Sequence, residues 1–325
     1  MKSQNVVKVM VCGMVLLCAS AALAQNANDY PSRPLRIMGG GVGSTADYLS
    51  RFIAQKLNEK WNQPVVVDSR AGAGGTLAAD VVAKAAPDGY NLVMGHAGPM
   101  VSAVALYKEL PYDPVKDFAP LTLMTTGVVV LVTHPSMPVS NTKELIAYIK
   151  HKGGLSYASA GNGTMSHLAG ELFNRIAGVQ VLHVPYKSAG FALTSLLSSE
   201  TQISFLSPVT AHTQLKAGRV KALAVSSKTR FAGTPEIPSA VEAGIPGMDA
   251  RLWFGLFTTA KTPRVVVIKL NHAITEVLNR AEVKTMLLVQ GAEAAPSTPE
   301  ELGDFVKSEL ARWIPVIKAA GIKAD

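Results

Sequence analysis

Short β-like runs alternate with helical patterns along almost the whole chain, and glycine-rich turns recur after a strand and before a helix. Residues 35–38 lead through residues 39–45 to a helix at about 45–62, whose Leu49, Phe52, Ile53 and Leu57 share one face. Residues 65–68 lead through Arg70-Ala71-Gly72-Ala73-Gly74-Gly75 to an alanine-rich helix ending near Ala86. Residues 91–95 follow the turn signal Pro87-Asp88-Gly89. Such alternation points to parallel strands joined by helical crossovers, since a parallel partner is reached only through a long connection.

The middle of the chain repeats the pattern. A long apolar strand at 127–134 precedes Asn141 and Glu144, a reciprocal capping pair at a helix start. Strands at 155–158, 181–184, 202–205 and 221–225 alternate with helices, including ones at about 164–177 and 189–199. A Pro/Gly-rich stretch, 233–247, separates this block from a last strand at 251–258. In the tail, Thr262-Pro263 and Thr298-Pro299-Glu300-Glu301 are helix starts, with Thr as cap and Pro at the first helical position. Leu302, Phe305, Leu310, Trp313 and Ile317 form a stripe that reads as core, and Pro315 predicts a kink. The expected architecture is α/β, with mainly parallel sheets in two lobes. Lobe 1 comprises residues 25–124 and 253–325, and lobe 2 comprises 125–252. Two crossings, near Thr125 and Arg251, would make a hinge over a cleft that can close on a ligand.

The first 24 residues read as a secretory signal peptide. Lys2 and Lys8 open it, an apolar stretch from Val9 to Cys18 follows, and Ala22-Leu23-Ala24 offers a cleavage site before Gln25. A lipid anchor at Cys18 is disfavoured by the bulky Leu17 before it. Cys12 and Cys18 are the chain's two cysteines and both lie in this leader, so the mature chain has no disulfide, thiolate nucleophile or cysteine-ligated metal. The formal charge of +8, which includes Lys2 and Lys8, is scattered and aromatics are only 6%, a pattern that argues against nucleic acid and for a solvated basic surface. No later stretch is long and apolar enough to span a bilayer.

Chemistry concentrates in three turns, at residues 39–45, 71–76 and 159–164. Glycine turns at helix starts present unpaired N–H groups at the positive end of the helix dipole, where anions bind; glycine also simply permits tight turns. Gly41-Val42-Gly43-Ser44-Thr45-Ala46 matches the dinucleotide fingerprint G-x-G-x-x-G/A, and Asp68 ends the next strand. An exported protein meets little soluble nicotinamide cofactor, however, and the match is short and preceded by further glycines. No G-x-x-x-x-G-K-[ST], H-E-x-x-H or G-x-S-x-G occurs, and the seven histidines show no metal-ligand spacing. His96, at a strand end, and His167, behind the third turn, are the candidate ligand contacts among them. Tyr186-Lys187-Ser188-Ala189 also joins a strand to a helix. Lys187 there either pairs with a carboxylate or is a solvated cation over a packed Tyr186.

The chain strongly resembles the extracytoplasmic solute receptors of tripartite tricarboxylate transporters, the Bug family. The resemblance rests on Tyr30-Pro31-Ser32-Arg33-Pro34, Gly43-Ser44-Thr45-Ala46-Asp47, residues 70–75, residues 83–90 and residues 110–118. It continues in Ala160-Gly161-Asn162-Gly163-Thr164, His183-Val184-Pro185-Tyr186-Lys187, Trp253-Phe254-Gly255-Leu256 and Ala319-Ala320-Gly321-Ile322. It implies a two-lobe periplasmic binding protein of the Venus-flytrap kind. Such a protein binds an organic or aromatic carboxylate without metal or cofactor and hands it to membrane permease subunits. It implies ligand contacts from Ser44, Thr45, Asp47, Ala73, Gly74, His96 and Ala97 in the first lobe. Asn162, Gly163, Thr164, His167, Tyr186, Lys187, Ser188 and Ala189 would answer from the second. Two departures stand out. Gly39-Gly40-Gly41-Val42 replaces the Pro-Phe-x-Pro of many members, and Phe205-Leu206-Ser207 replaces Phe-Asp-Asn. The first removes an aromatic and is expected to enlarge the pocket. The second removes a carboxylate, favours a bulkier di- or aromatic carboxylate over an amino acid, and brings Ser207 to the site. A periplasmic enzyme acting on carboxylates, or a receptor serving a signalling partner, are the alternatives; a monomer is expected.

Overall fold

The computed structural model describes residues 29–319 and 321–322, so the signal-peptide reading of residues 1–24 lies outside the described residues. In chain order the strands are β1 (Leu35–Gly39), β2 (Val65–Ser69), β3 (Asn91–Gly95), β4 (Phe118–Val128), β5 (Val130–Thr133) and β6 (Ser156–Ser159). They continue as β7 (Leu182–Pro185), β8 (Ile203–Leu206), β9 (Lys221–Val225), β10 (Arg251–Thr259) and β11 (Glu293–Ala294). The helices are α1 (Thr45–Trp61), α2 (Thr76–Ala83), α3 (Ala103–Leu106), α4 (Thr142–Lys152) and α5 (Met165–Ala177). After them come α6 (Ala189–Leu197), α7 (Pro208–Lys216), α8 (Arg264–Asn279), α9 (Ala281–Val289) and α10 (Pro299–Ala319).

Two sheets result, ordered β11-β4-β10-β3-β1-β2 and β7-β6-β8-β5-β9. Each contains the parallel trio that the alternation predicts, β2-β1-β3 in one and β7-β6-β8 in the other. The remaining pairings are antiparallel, so both sheets are mixed. The cause is the chain's traffic between the sheets. β4 leaves the first sheet for β5 of the second with only Val129 between them, and β10 brings the chain back alongside β4. An outgoing and a returning strand that lie side by side must run in opposite directions. The apolar run at 127–134 is therefore not one strand, but the end of β4 and all of β5, divided at Val129.

Packing follows the apolar stripes. One face of the first sheet buries Leu35, Ile37 and Leu92 against Leu49, Ile53 and Leu57 of α1 and Leu270, Ile274 and Leu278 of α8. Each such fully buried side chain contributes about 1.5–3 kcal/mol. The opposite face joins a second cluster that runs from Met38, Val93 and Trp253 to Tyr157, Phe173 and Phe205 of the other sheet. Trp313 is buried in that cluster, and α10 runs on through Pro315. Thr298 caps α10 reciprocally with Glu301, and Asn141 caps α4 by accepting from the Glu144 amide while the Glu144 carboxylate accepts from the Asn141 side chain and the Ser140 amide, as the spacings predict. Thr262 does not cap. Its hydroxyl donates to the Thr259 carbonyl (2.7 Å), and α8 begins beyond Pro263.

Candidate functional site: a cleft ringed by helix starts

The strand ends that carry the glycine turns face one another across the gap between the sheets, and the turns enclose a single cavity. From the first-sheet side its wall is made by Gly40, Gly41, Ser44, Thr45 and Ala46, by Arg70 to Gly72, by Gly74 and Gly75, and by His96 and Ala97. The second-sheet side contributes Ala160, Thr164, Met165, Ser166, Lys187, Ser188, Ala189, Phe205, Leu206 and Ser207. Val129, Leu252, Trp253 and Phe254, on or beside the crossing strands, form an apolar floor. The room for the centres of water-sized molecules is about 90 Å³.

Helix starts from both halves reach this wall, and their capping differs. Ser44 caps α1 by accepting from the Asp47 amide (3.2 Å), and Ser207 caps α7 by accepting from Thr210 (3.1 Å). Thr164 and Ser188 hold the cap positions of α5 and α6 but make no capping bond. The Thr164 hydroxyl donates instead to the Gly161 carbonyl (2.7 Å), and that of Ser188 to the Val42 carbonyl (3.4 Å). First-turn amides such as those of Met165, Ser166 and Ala189 have no acceptor within their own helices. Two helix ends thus present bare donors and a positive dipole end to a mostly apolar cavity, where an anion's interactions are strengthened.

His96 adds a neutral donor. Its Nδ1 accepts from the Gly98 amide (3.2 Å), so a neutral ring carries its proton on Nε2. Burial pushes its pKa down to about 4, which keeps it uncharged at neutral pH.

Other expected contacts stand behind the wall. Asp47 is bound by Arg51 (3.1 Å) and accepts from the Ser69 hydroxyl (2.6 Å), so it ties the start of α1 to the end of β2. The Gly163 amide donates to Nδ1 of His167 (3.1 Å) and is therefore spent within its own turn. His167 lies behind that turn, stacked on His183 with ring centres 3.8 Å apart. Burial, then the neighbouring His183, lowers its pKa to about 3. Tyr186 packs against the core around Ala192 and Leu196. Ala73 and Asn162 flank the wall without lining it, although the Asn162 carbonyl approaches Gly74 across the cleft.

Sequence reasoning missed Arg70, Met165, Ser166 and the aromatic floor. Trp253 and Phe254 stand in a conspicuous aromatic pair, but only the pairing of β10 with β4 brings them beneath the turns. Beside Gly40 and Gly41 the chain leaves no spare room. A Cβ on Gly40 would lie 2.7 Å from Ser44 Oγ, and one on Gly41 would lie 2.6 Å from Ser188 Cβ. The space is taken by the chain's own approach across the cleft. Leu206 does form part of the cavity wall.

The halves touch directly. Thr45 Oγ1 and Ser207 Oγ share a hydrogen bond across the cleft, and Thr210 Oγ1 lies 3.3 Å from Thr45 Oγ1. Two α/β units, joined by crossing strands and closed over an inner cavity, define a two-lobe periplasmic binding protein.

Comparison with known proteins narrows the class. Residues 49–322 match the model of the tripartite tricarboxylate transporter family receptors. The chain is 31% identical to Protein BugT of Bordetella pertussis over 316 residues, covering 96% of this chain and 97% of that one. Among solved structures it is similar to Rpa4515 of R. palustris with adipate, with a TM-score of 0.88, 32% identity, and coverage of 90% and 99% of the two chains. MatC of Rhodopseudomonas palustris with bound malate gives a TM-score of 0.83 and 35% identity, covering 89% and 100%. The chain belongs to the tripartite tricarboxylate transporter receptor family, as its sequence motifs implied. The family is one of transporter receptors, and another similar structure, at 32% identity and a TM-score of 0.86, is the periplasmic binding protein BugD. Among the described residues no helix is long and apolar enough to cross a membrane.

Proposed function

We propose that this protein is a periplasmic receptor that captures a small carboxylate, a di- or aromatic carboxylate being favoured, and delivers it to the permease of a tripartite tricarboxylate-type transporter. Export would follow from the leader at residues 1–24. Residues 25–124 and 253–325 form one lobe in this reading and 125–252 the other, hinged where the chain crosses. The carrying observation is that Thr164 and Ser188 hold cap positions yet leave their helix amides uncapped at the cavity. The bound adipate and malate of the two similar structures support the same ligand chemistry.

No chemical step is needed. One carboxylate docks among the hydroxyls of Ser44 and Thr45 and the amides of Thr45 and Gly74, with neutral His96 as a further donor. The starts of α5 and α6 then close over it, and Thr164, Ser188, Ala189 and Ser207 complete the enclosure. Closure occurs because the ligand has contacts in the closed form that it lacks in the open one. A thermal-shift screen of mono-, di- and tricarboxylates, aromatic acids and amino acids tests this. A true ligand at ~100 times its dissociation constant adds ~2.7 kcal/mol of stability. It also changes the emission of Trp253, which lies in the cavity floor. A silent panel, or turnover of a bound acid, refutes the receptor reading.

A further inference from the structure

Two cations line the cavity from opposite halves. Arg70 follows β2, the edge strand of the first sheet, and Lys187 follows β7, the edge strand of the second. Both are exposed. The residues after them converge on one point: a Cβ on Gly41 would lie 2.9 Å from Ala71 Cβ and 2.6 Å from Ser188 Cβ. Arg70 and Lys187 therefore share one rim of the cavity, across the seam between the lobes.

Their surroundings leave the rim positive. Asp68 is held by Arg36 and by Arg70 (3.3 Å), while Asp47 is held by Arg51 (3.1 Å). These local carboxylates are already shared among arginines, and Lys187 makes no ion pair among the described residues. Closure draws Arg70 and Lys187 together, and like charges approaching across a seam oppose it unless an anion lies between them. The first-docked carboxylate of the proposed ligand lies inward, against the helix starts.

We infer that Arg70 and Lys187 form a two-lobe clamp for a second anionic group at the mouth, selecting dicarboxylates and coupling closure to the ligand's second charge. This rests on the carboxylate-receptor reading above and deepens it.

The test compares unbranched diacids with monoacids of the same chain length, adipate with hexanoate among them, by calorimetric titration of the wild type, Arg70→Gln, Lys187→Gln and the double variant. The wild type is expected to bind the diacid more tightly. Each single change weakens diacid binding about threefold to tenfold, as suits partly screened charges, with the monoacid within about twofold. The double variant brings the two acids close to parity. The salt dependence of diacid binding falls in the variants, and Lys187→Arg restores most of the loss. Because both side chains are exposed, ligand-free melting should be unchanged, which separates a clamp from a folding defect. Equal loss for both acids, or no loss for the diacid, overturns the clamp and leaves the receptor reading standing. If the wild type binds neither class of acid, both fall.

Discussion

Gly190 offers a substitution whose effects on stability and on binding should have opposite signs. It is the second residue of α6, where its backbone is that of an ordinary helix. Alanine there favours the helix by up to ~1 kcal/mol, and about half of that is reasonable so close to the end. In a chain of this size such a gain raises the melting temperature by about 1 °C. A Cβ at 190, however, would stand 2.7 Å from the Val42 carbonyl oxygen and 3.3 Å from Gly43 Cα, both backbone atoms of the opposing lobe. Backbone cannot swing away as a side-chain tip can, so the closed form must open by several tenths of an ångström. Overpacking of this kind costs about 1–3 kcal/mol. Charged only to the closed state, it weakens ligand binding roughly 5- to 140-fold. Differential scanning calorimetry of the free protein and titration with an identified diacid measure the two effects. Unchanged affinity in Gly190→Ala would refute the argument that this glycine exists for closure, as would a binding loss matched by an equal fall in free-protein stability.

Three further outcomes follow from the same geometry. Gly74→Ala contrasts with Gly190→Ala: Gly74 has φ of 60° and its Cβ would meet the Asn162 carbonyl at 2.5 Å, so melting temperature and affinity should both fall, the backbone cost alone being about 1–2 kcal/mol. Thr45→Val removes the hydroxyl bond to Ser207 while Ser207 keeps Thr210 as partner, so affinity should fall about 2- to 12-fold in titration with little change in free-protein melting. His96 and His167, lowered to about 4 and about 3, bind protons less readily folded than unfolded. Their contribution to stability is whole above pH ~6.5 and declines as pH falls toward those values, by up to ~1.4 kcal/mol per pH unit for each. Urea unfolding at pH 7, 6 and 5 should show this loss, and His167→Gln should lessen the slope; a flat profile over that window would contradict the burial of both rings.

Local order was legible because it depends on neighbours in the chain. The stripe of Leu49, Ile53 and Leu57, the capping pairs at Asn141 and Thr298, and the glycine turns before helices all rest on contacts within a few residues. The family motifs then tied these pieces to a two-lobe receptor. What remained hidden depended on pairings far apart in sequence. The split of residues 127–134 at Val129 leaves no local trace, since both parts are β-forming. The family resemblance implied Asp47 and Gly163 as ligand contacts. Folding shows that their hydrogen-bonding capacity is used: Asp47 by Ser69, 22 residues away, as well as by Arg51 one helical turn on, and Gly163 by His167 once its own turn has formed.

The sequence by itself determined the alternation of strands and helices, the glycine turns that permit close approach, and the supply of potential donors at helix starts. Tertiary structure alone decided which donors are free, that Arg70 and Lys187 share a rim, and that Trp253 and Phe254 lie beneath the turns. The physical reason is that a hydrogen bond is consumed, and a charge opposed, by whatever partner folding brings within a few ångströms, and the partners that cross between the lobes, such as Thr45 with Ser207 and Ser188 with Val42, stand more than a hundred residues apart.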